Sequence, residues 1–117
     1  MILAVLDDLM FTSKIKTTAS QLGAVVTFAR SASGALDAMK QSPPALVILD
    51  LNNPRTTPLA IVQSMKADPG LASIPTLGYV SHVDTPTIEA ARAAGVGEIL
   101  ARSAFTAQLA EILSRQA

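Results

Sequence analysis

The sequence predicts an α/β fold, a five-stranded parallel doubly wound sheet in three layers, and three observations carry that prediction. Short apolar runs alternate with amphipathic helical stretches along the whole chain, which implies parallel strands joined by right-handed crossovers with helices on both faces. The run Ala45 to Leu49 is unbroken in apolar residues and ends at Asp50, as does a strand buried on both faces. Half of the 117 residues are hydrophobic, 15% are charged and 3% aromatic, with a mean hydropathy of +0.41. A chain of this size suits one domain over residues 1–117, burying about 65% of its extended surface around a core of Ala, Val, Ile and Leu.

The elements follow in order. Ile2 to Leu6 is a first strand, closed by Asp7 and Asp8. Phe11, Ile15, Ala19 and Leu22 recur at helical spacing, and Gly23 is placed to end that helix. Ala24 to Ala29 is β-branched and apolar and reads as a second strand. Ser33 is a candidate N-cap for a short helix carrying Leu36 and Met39, which Pro43 and Pro44 terminate. After the third strand, Thr57 and Pro58 form a cap and first-turn pair for a helix with Leu59, Val62 and Met65 inward. Asp68, Pro69 and Gly70 break it. Pro75 opens a fourth strand that ends near Ser81, Thr85 and Pro86 repeat the cap device, and Ile88, Ala91 and Ala94 line a helix closed by Gly95. Glu98 to Ala101 is a brief fifth strand, and Phe105, Leu109, Ile112 and Leu113 are spaced as one terminal helix.

Composition excludes several classes of function. Nine basic residues balance nine acidic ones with no run of either sign, so nothing attracts nucleic acid or an anionic membrane. Without cysteine there is no disulfide framework and no thiolate zinc site. The apolar start lacks a basic region and is cut off by Asp7 and Asp8, so it is neither a signal peptide nor a membrane span, and the expected location is cytoplasmic. The turns DDLMFTS and DLNNPRTT contain no glycine to cradle a phosphate, which disfavours a nucleotide or flavin binder.

Two strands thus deliver carboxylates at their carboxyl ends, the rim where open α/β sheets bind ligands. With the strand order reversing between the first and third strands, Asp7, Asp8 and Asp50 converge in one crevice. Like charges that close need a cation or a shared proton. Oxygen ligands in an open cluster suit magnesium, and a carboxylate beside it can attack phosphorus to form an acyl phosphate. Taken singly, Asp8 also suits a helix N-cap and Asp50 a turn.

These residues, together with Asn52 and Pro54 in the turn, Pro75, and the stretch Ala94 to Leu100, make the chain resemble a response-regulator receiver domain, the phosphoacceptor module of two-component signalling. The resemblance implies the flavodoxin-like strand order 2-1-3-4-5 and a phosphoryl group on Asp50. It implies Asp8 and Asp50 as direct magnesium ligands, Asp7 as a ligand through water, and the Asn52 carbonyl as a further ligand. It also implies a sensor histidine kinase or phosphotransfer protein as donor and a downstream protein or output domain as receiver of the signal. Such a module is no enzyme in the ordinary sense, beyond catalysing its own phosphoryl transfer and hydrolysis.

The chain departs from the family pattern at three positions. Val80 stands where the family has a Thr or Ser hydroxyl, and Ser81 beside it should point to the other face unless the strand has already ended. Arg102 replaces the family lysine; its planar fork is able to hold a phosphoryl oxygen, to lock onto Asp50, or to balance the acidic cluster. Ile99 replaces the switch aromatic. These departures leave room for a second reading, a pseudo-receiver that is never phosphorylated and serves as a protein-interaction module. His82 reads as an exposed loop residue, Met10, Met39 and Met65 as core filler, and the alanine-rich fourth helix with the terminal helix as either ordinary packing or a homodimer face.

Overall fold

In the computed structural model, which describes residues 1–81 and 84–115, the apolar runs form the strands and the periodic stretches the helices. The order is β1 (Ile2–Val5), α1 (Leu9–Leu22), β2 (Val26–Ala29), α2 (Ala32–Gln41), β3 (Leu46–Asp50) and α3 (Pro58–Ala67), then β4 (Thr76–Val80), α4 (Thr85–Ala94), β5 (Glu98–Ala101), α5 (Arg102–Ala107) and α6 (Leu109–Ser114). His82 lies outside the described residues. All strand pairs are parallel, in the order β2-β1-β3-β4-β5.

Burial explains why the central strands read as continuous apolar runs. Leu3, Val5, Val47 and Leu49 face α2, α3 and α4, where Met39, Ile61, Val62 and Met65 complete one core layer. Ile2, Ala4, Ile48, Leu77 and Tyr79 face α1, α5 and α6, where Ile15, Phe105, Leu109 and Ile112 complete the other. Period-two alternation thus sends apolar residues to both faces. The aromatic rings gather on the second face: Tyr79 stacks on Phe105 at 4.8 Å between centroids, and Phe11 lies 5.1 Å from Tyr79. Burial of each such ring contributes about 1.5–3 kcal/mol. Among the described residues no helix is long and apolar enough to cross a membrane.

Several boundaries differ from the sequence reading. The cap of α2 is Ser31, whose Oγ accepts the Gly34 N–H at 3.1 Å, so Ser33 falls inside the first turn. The cap of α4 is Asp84, which accepts the Thr87 N–H at 3.2 Å; a carboxylate is available one residue before Thr85. Thr57 precedes α3 as expected but at φ 45° and with no side-chain cap bond. β2 begins at Val26 rather than Ala24, and Val25 is exposed. The terminal helix is interrupted at Gln108, whose backbone is non-helical, although the apolar face runs on through the break. Met10 is not core: it is 86% exposed, because Phe11, Ile15 and Ala19 set the inward stripe and residue 10 lies about 100° of helix rotation away from Phe11.

Candidate functional site

β1 and β3 lie side by side in a register that pairs Val5 with Leu49. The chain segments leaving both strands therefore emerge at one rim. There Asp7, Asp8 and Asp50 line an open hollow of about 570 Å³ together with Asn52, Asn53, Pro54 and Arg55. Arg102 joins this rim to the aromatic cluster, reaching Asp8 and lying over the Phe11 ring.

Each carboxylate has a different surrounding. Asp7 is gripped through both oxygens: Arg55 donates from Nε to Oδ2 at 2.7 Å and from Nη2 to Oδ1 at 2.9 Å, and Asn53 Nδ2 donates to Oδ1 at 2.6 Å. The Arg55 bonds, reinforced by Asn53, pull its carboxyl down to about 2. Asp8 caps α1, its Oδ1 accepting the Met10 and Phe11 N–H groups at 2.9 and 3.2 Å, while Oδ2 accepts Arg102 Nη2 at 3.1 Å. The helix N–H groups, with Arg102, hold its carboxyl below the usual range. Asp50 is half-buried at the end of β3; its Oδ1 accepts the Asn52 N–H at 3.1 Å, and among the described residues Oδ2 meets no hydrogen-bond donor. Burial outweighs that bond and the nearby Arg102 charge, pushing the Asp50 carboxyl above its ordinary value.

Arg102 does not lock onto Asp50. It starts α5, and its guanidinium lies over the Phe11 ring at 4.5 Å while reaching Asp8, so ring and carboxylate together capture it. β4 ends at Val80, which is fully buried and offers no hydroxyl. Ser81 is exposed and outside the lining of the hollow; its backbone N–H, rather than its side chain, is engaged, donating to Asn52 Oδ1 at 2.6 Å. Ile99 is half-buried against the first core layer.

Three carboxylates and a backbone carbonyl are the hard oxygen donors that magnesium prefers. In this arrangement Asp7 and Asp8 already have both oxygens occupied, and among the described residues no three acidic, histidine or cysteine side chains are gathered closely enough to grip an ion. The donor chemistry fits, with Arg55 standing on the Asp7 oxygens and Arg102 on Asp8 Oδ2. Arg55 and Asn53, which do the gripping, were not singled out from the sequence. One signal was present: Arg55 is the only charged residue besides Asp50 between Lys40 and Lys66.

The sequence profile of the response regulator receiver domain matches residues 2–114. No match is found among curated protein sequences. Solved structures share the fold at low identity. Chemotaxis response regulator CheY4 of Vibrio cholerae is 21% identical with a TM-score of 0.83, over 99% of this chain and 97% of that one. The receiver domain of NtrX from Brucella abortus is 23% identical with a TM-score of 0.81, over 99% and 97%. The Mn(2+)-bound form of response regulator Rcp1 is 19% identical with a TM-score of 0.81, over 97% and 91%.

Proposed function

The chain belongs to the response regulator receiver domain family, and from that premise we propose that it is a signalling receiver that accepts a phosphoryl group on Asp50. The observation that carries the reading is the Asp50 carboxylate itself: one oxygen is fixed by the Asn52 N–H and, among the described residues, the other meets no donor, on the wall of an open polar hollow. In the transfer, an Asp50 oxygen forms a bond to phosphorus while the bond between phosphorus and the donor breaks, and the electron pair leaves with the donor group. Asp50, Asp8 and the Asn52 carbonyl would hold magnesium, with Asp7 joining through water. Bound there, the ion supplies positive charge to the phosphoryl oxygens. Rcp1, a response regulator that shares this fold, is described in a manganese-bound form.

The chain's own contribution is placement. Asp8, fixed on the first turn of α1, sets one side of the hollow, and the turn of Asn52 sets the other. Arg102 supplies a cation at the rim without blocking Asp50. The phosphodonor would be a sensor histidine kinase or phosphotransfer protein, and the output a contact with a downstream protein or domain in the cytoplasm. The chemistry is self-catalysed transfer and hydrolysis rather than turnover of a substrate.

The second reading, an unphosphorylated pseudo-receiver, draws on Val80, which removes the hydroxyl that would meet the phosphoryl group, and on the grip on Asp7. Incubation with magnesium and acetyl phosphate, followed by intact mass measurement, separates the two. One added phosphoryl group, lost in Asp50→Asn, supports the acceptor. No adduct and no metal binding leaves the interaction module.

A further inference from the structure

We infer that Arg55 is a built-in competitor of the divalent cation: its guanidinium occupies Asp7 until an ion displaces it. The inference rests on the reading above, that the hollow takes a divalent ion. The fork is bidentate, at 2.7 and 2.9 Å, so it fills both Asp7 oxygens rather than leaving one for a metal or its water. It is also aimed. Asn53, only 5% exposed, donates to Asp7 and accepts the Arg55 backbone N–H at 2.9 Å, so one buried side chain holds both the carboxylate and the residue that covers it.

The clamp is nevertheless able to open. The Arg55 side chain is 72% exposed while Asp7 is 16% exposed, so the arginine leaves into solvent without disturbing either core layer. An ion pair with one partner in water is weak. A divalent ion carries twice the charge and reaches several oxygens at once, so it wins when abundant. The consequence is a lowered apparent metal affinity, set by a residue that never touches the ion.

Manganese titration followed by calorimetry tests this on the whole chain. Arg55→Ala should bind Mn²⁺ about 1.5- to fivefold more tightly than the unaltered chain, the range an exposed clamp supports. Arg55→Lys, which keeps the charge and loses the fork, should fall between. Asp8→Asn placed in the Arg55→Ala chain should abolish the gain, locating the ion in this hollow, and far-UV dichroism checks that each variant is folded. Equal affinity in Arg55→Ala and the unaltered chain overturns the inference while leaving the metal site intact. Weaker binding in Arg55→Ala overturns it too, since Arg55 would then assist the ion. Absence of binding in both overturns the inference and the acceptor reading together.

Discussion

Asn52 and Asp84 are joined side chain to side chain, Nδ2 donating to Oδ2 at 2.6 Å, while Asn52 Oδ1 accepts the Ser81 N–H. The other Asp84 oxygen caps α4 through the Thr87 N–H. The residue two places after Asp50 is thereby tied to the start of a helix on the opposite side of β4. Val80 carries no hydroxyl and Ile99 no aromatic ring, and this tether is a physical connection between the acid rim and α4.

Asn52→Ala should therefore loosen the first turn of α4 even though the substitution is outside it. Amide exchange at Thr87 and Ile88 should speed up, as it should in Asp84→Ala, and the double variant should be less than additive because the two residues share one interaction. Unchanged exchange in Asn52→Ala, or strict additivity, would remove the tether from the account.

Gly78 sits in β4 where a Cβ would collide with the Leu51 side chain. Both are buried, and Leu51 belongs to the turn that carries Asn52. Gly78→Ala should cost about 1–3 kcal/mol by overpacking, measured by urea denaturation, and should shift the turn after Asp50. Pairing it with Leu51→Ala, which opens space, should recover part of the loss; no recovery would mean that the clash is relieved elsewhere.

What was legible in the sequence follows from how each feature is encoded. The central strands were readable because burial on both faces writes a continuous apolar run, and the shared rim of Asp7, Asp8 and Asp50 followed from where those runs stop. The caps were off by one or two residues because Ser31 and Ser33, or Asp84 and Thr85, offer similar chemistry at neighbouring positions. The break at Gln108 was invisible because Phe105, Leu109 and Ile112 keep their apolar spacing through it. The direction of Arg102 depends on the Phe11 ring, brought beside it by the packing of α1 on the sheet, and no local pattern reports that. Arg55 was missed for the same reason: its aim is set by Asn53, inside a turn without periodicity.

Tyr79 offers a test of the aromatic cluster. Its ring is 2% exposed, and among the described residues its hydroxyl has no hydrogen-bond partner. Burial pushes the phenol well above its ordinary pKa, so the group stays neutral and carries a desolvation penalty without a compensating bond. Removing an unsatisfied buried hydroxyl recovers on the order of 1–3 kcal/mol at most. Tyr79→Phe should keep the stacking on Phe105 and leave the fold equally stable or more so. A clear loss of stability on denaturation would show that the hydroxyl makes a bond in solution.

The acid limb of stability should report the Arg55 clamp directly. The Asp7 carboxyl is lowered from 3.8 to about 2, chiefly by the Arg55 hydrogen bond. A depressed carboxylate stabilises the fold fully above its unfolded pKa, and the contribution disappears as pH falls through the folded value. Asp50 has the opposite sign: its raised pKa means that protonation favours the folded chain, so its contribution grows as pH falls toward the ordinary carboxylate range. In Arg55→Ala the Asp7 shift should shrink while that of Asp50 keeps its main cause, burial. The unaltered chain should thus be more stable than Arg55→Ala near neutral pH, and the gap should close between 3.8 and about 2. Denaturation midpoints measured across that window check it, and a gap of constant size down to the lowest pH would mean that Arg55 stabilises the turn by some route other than the Asp7 carboxylate.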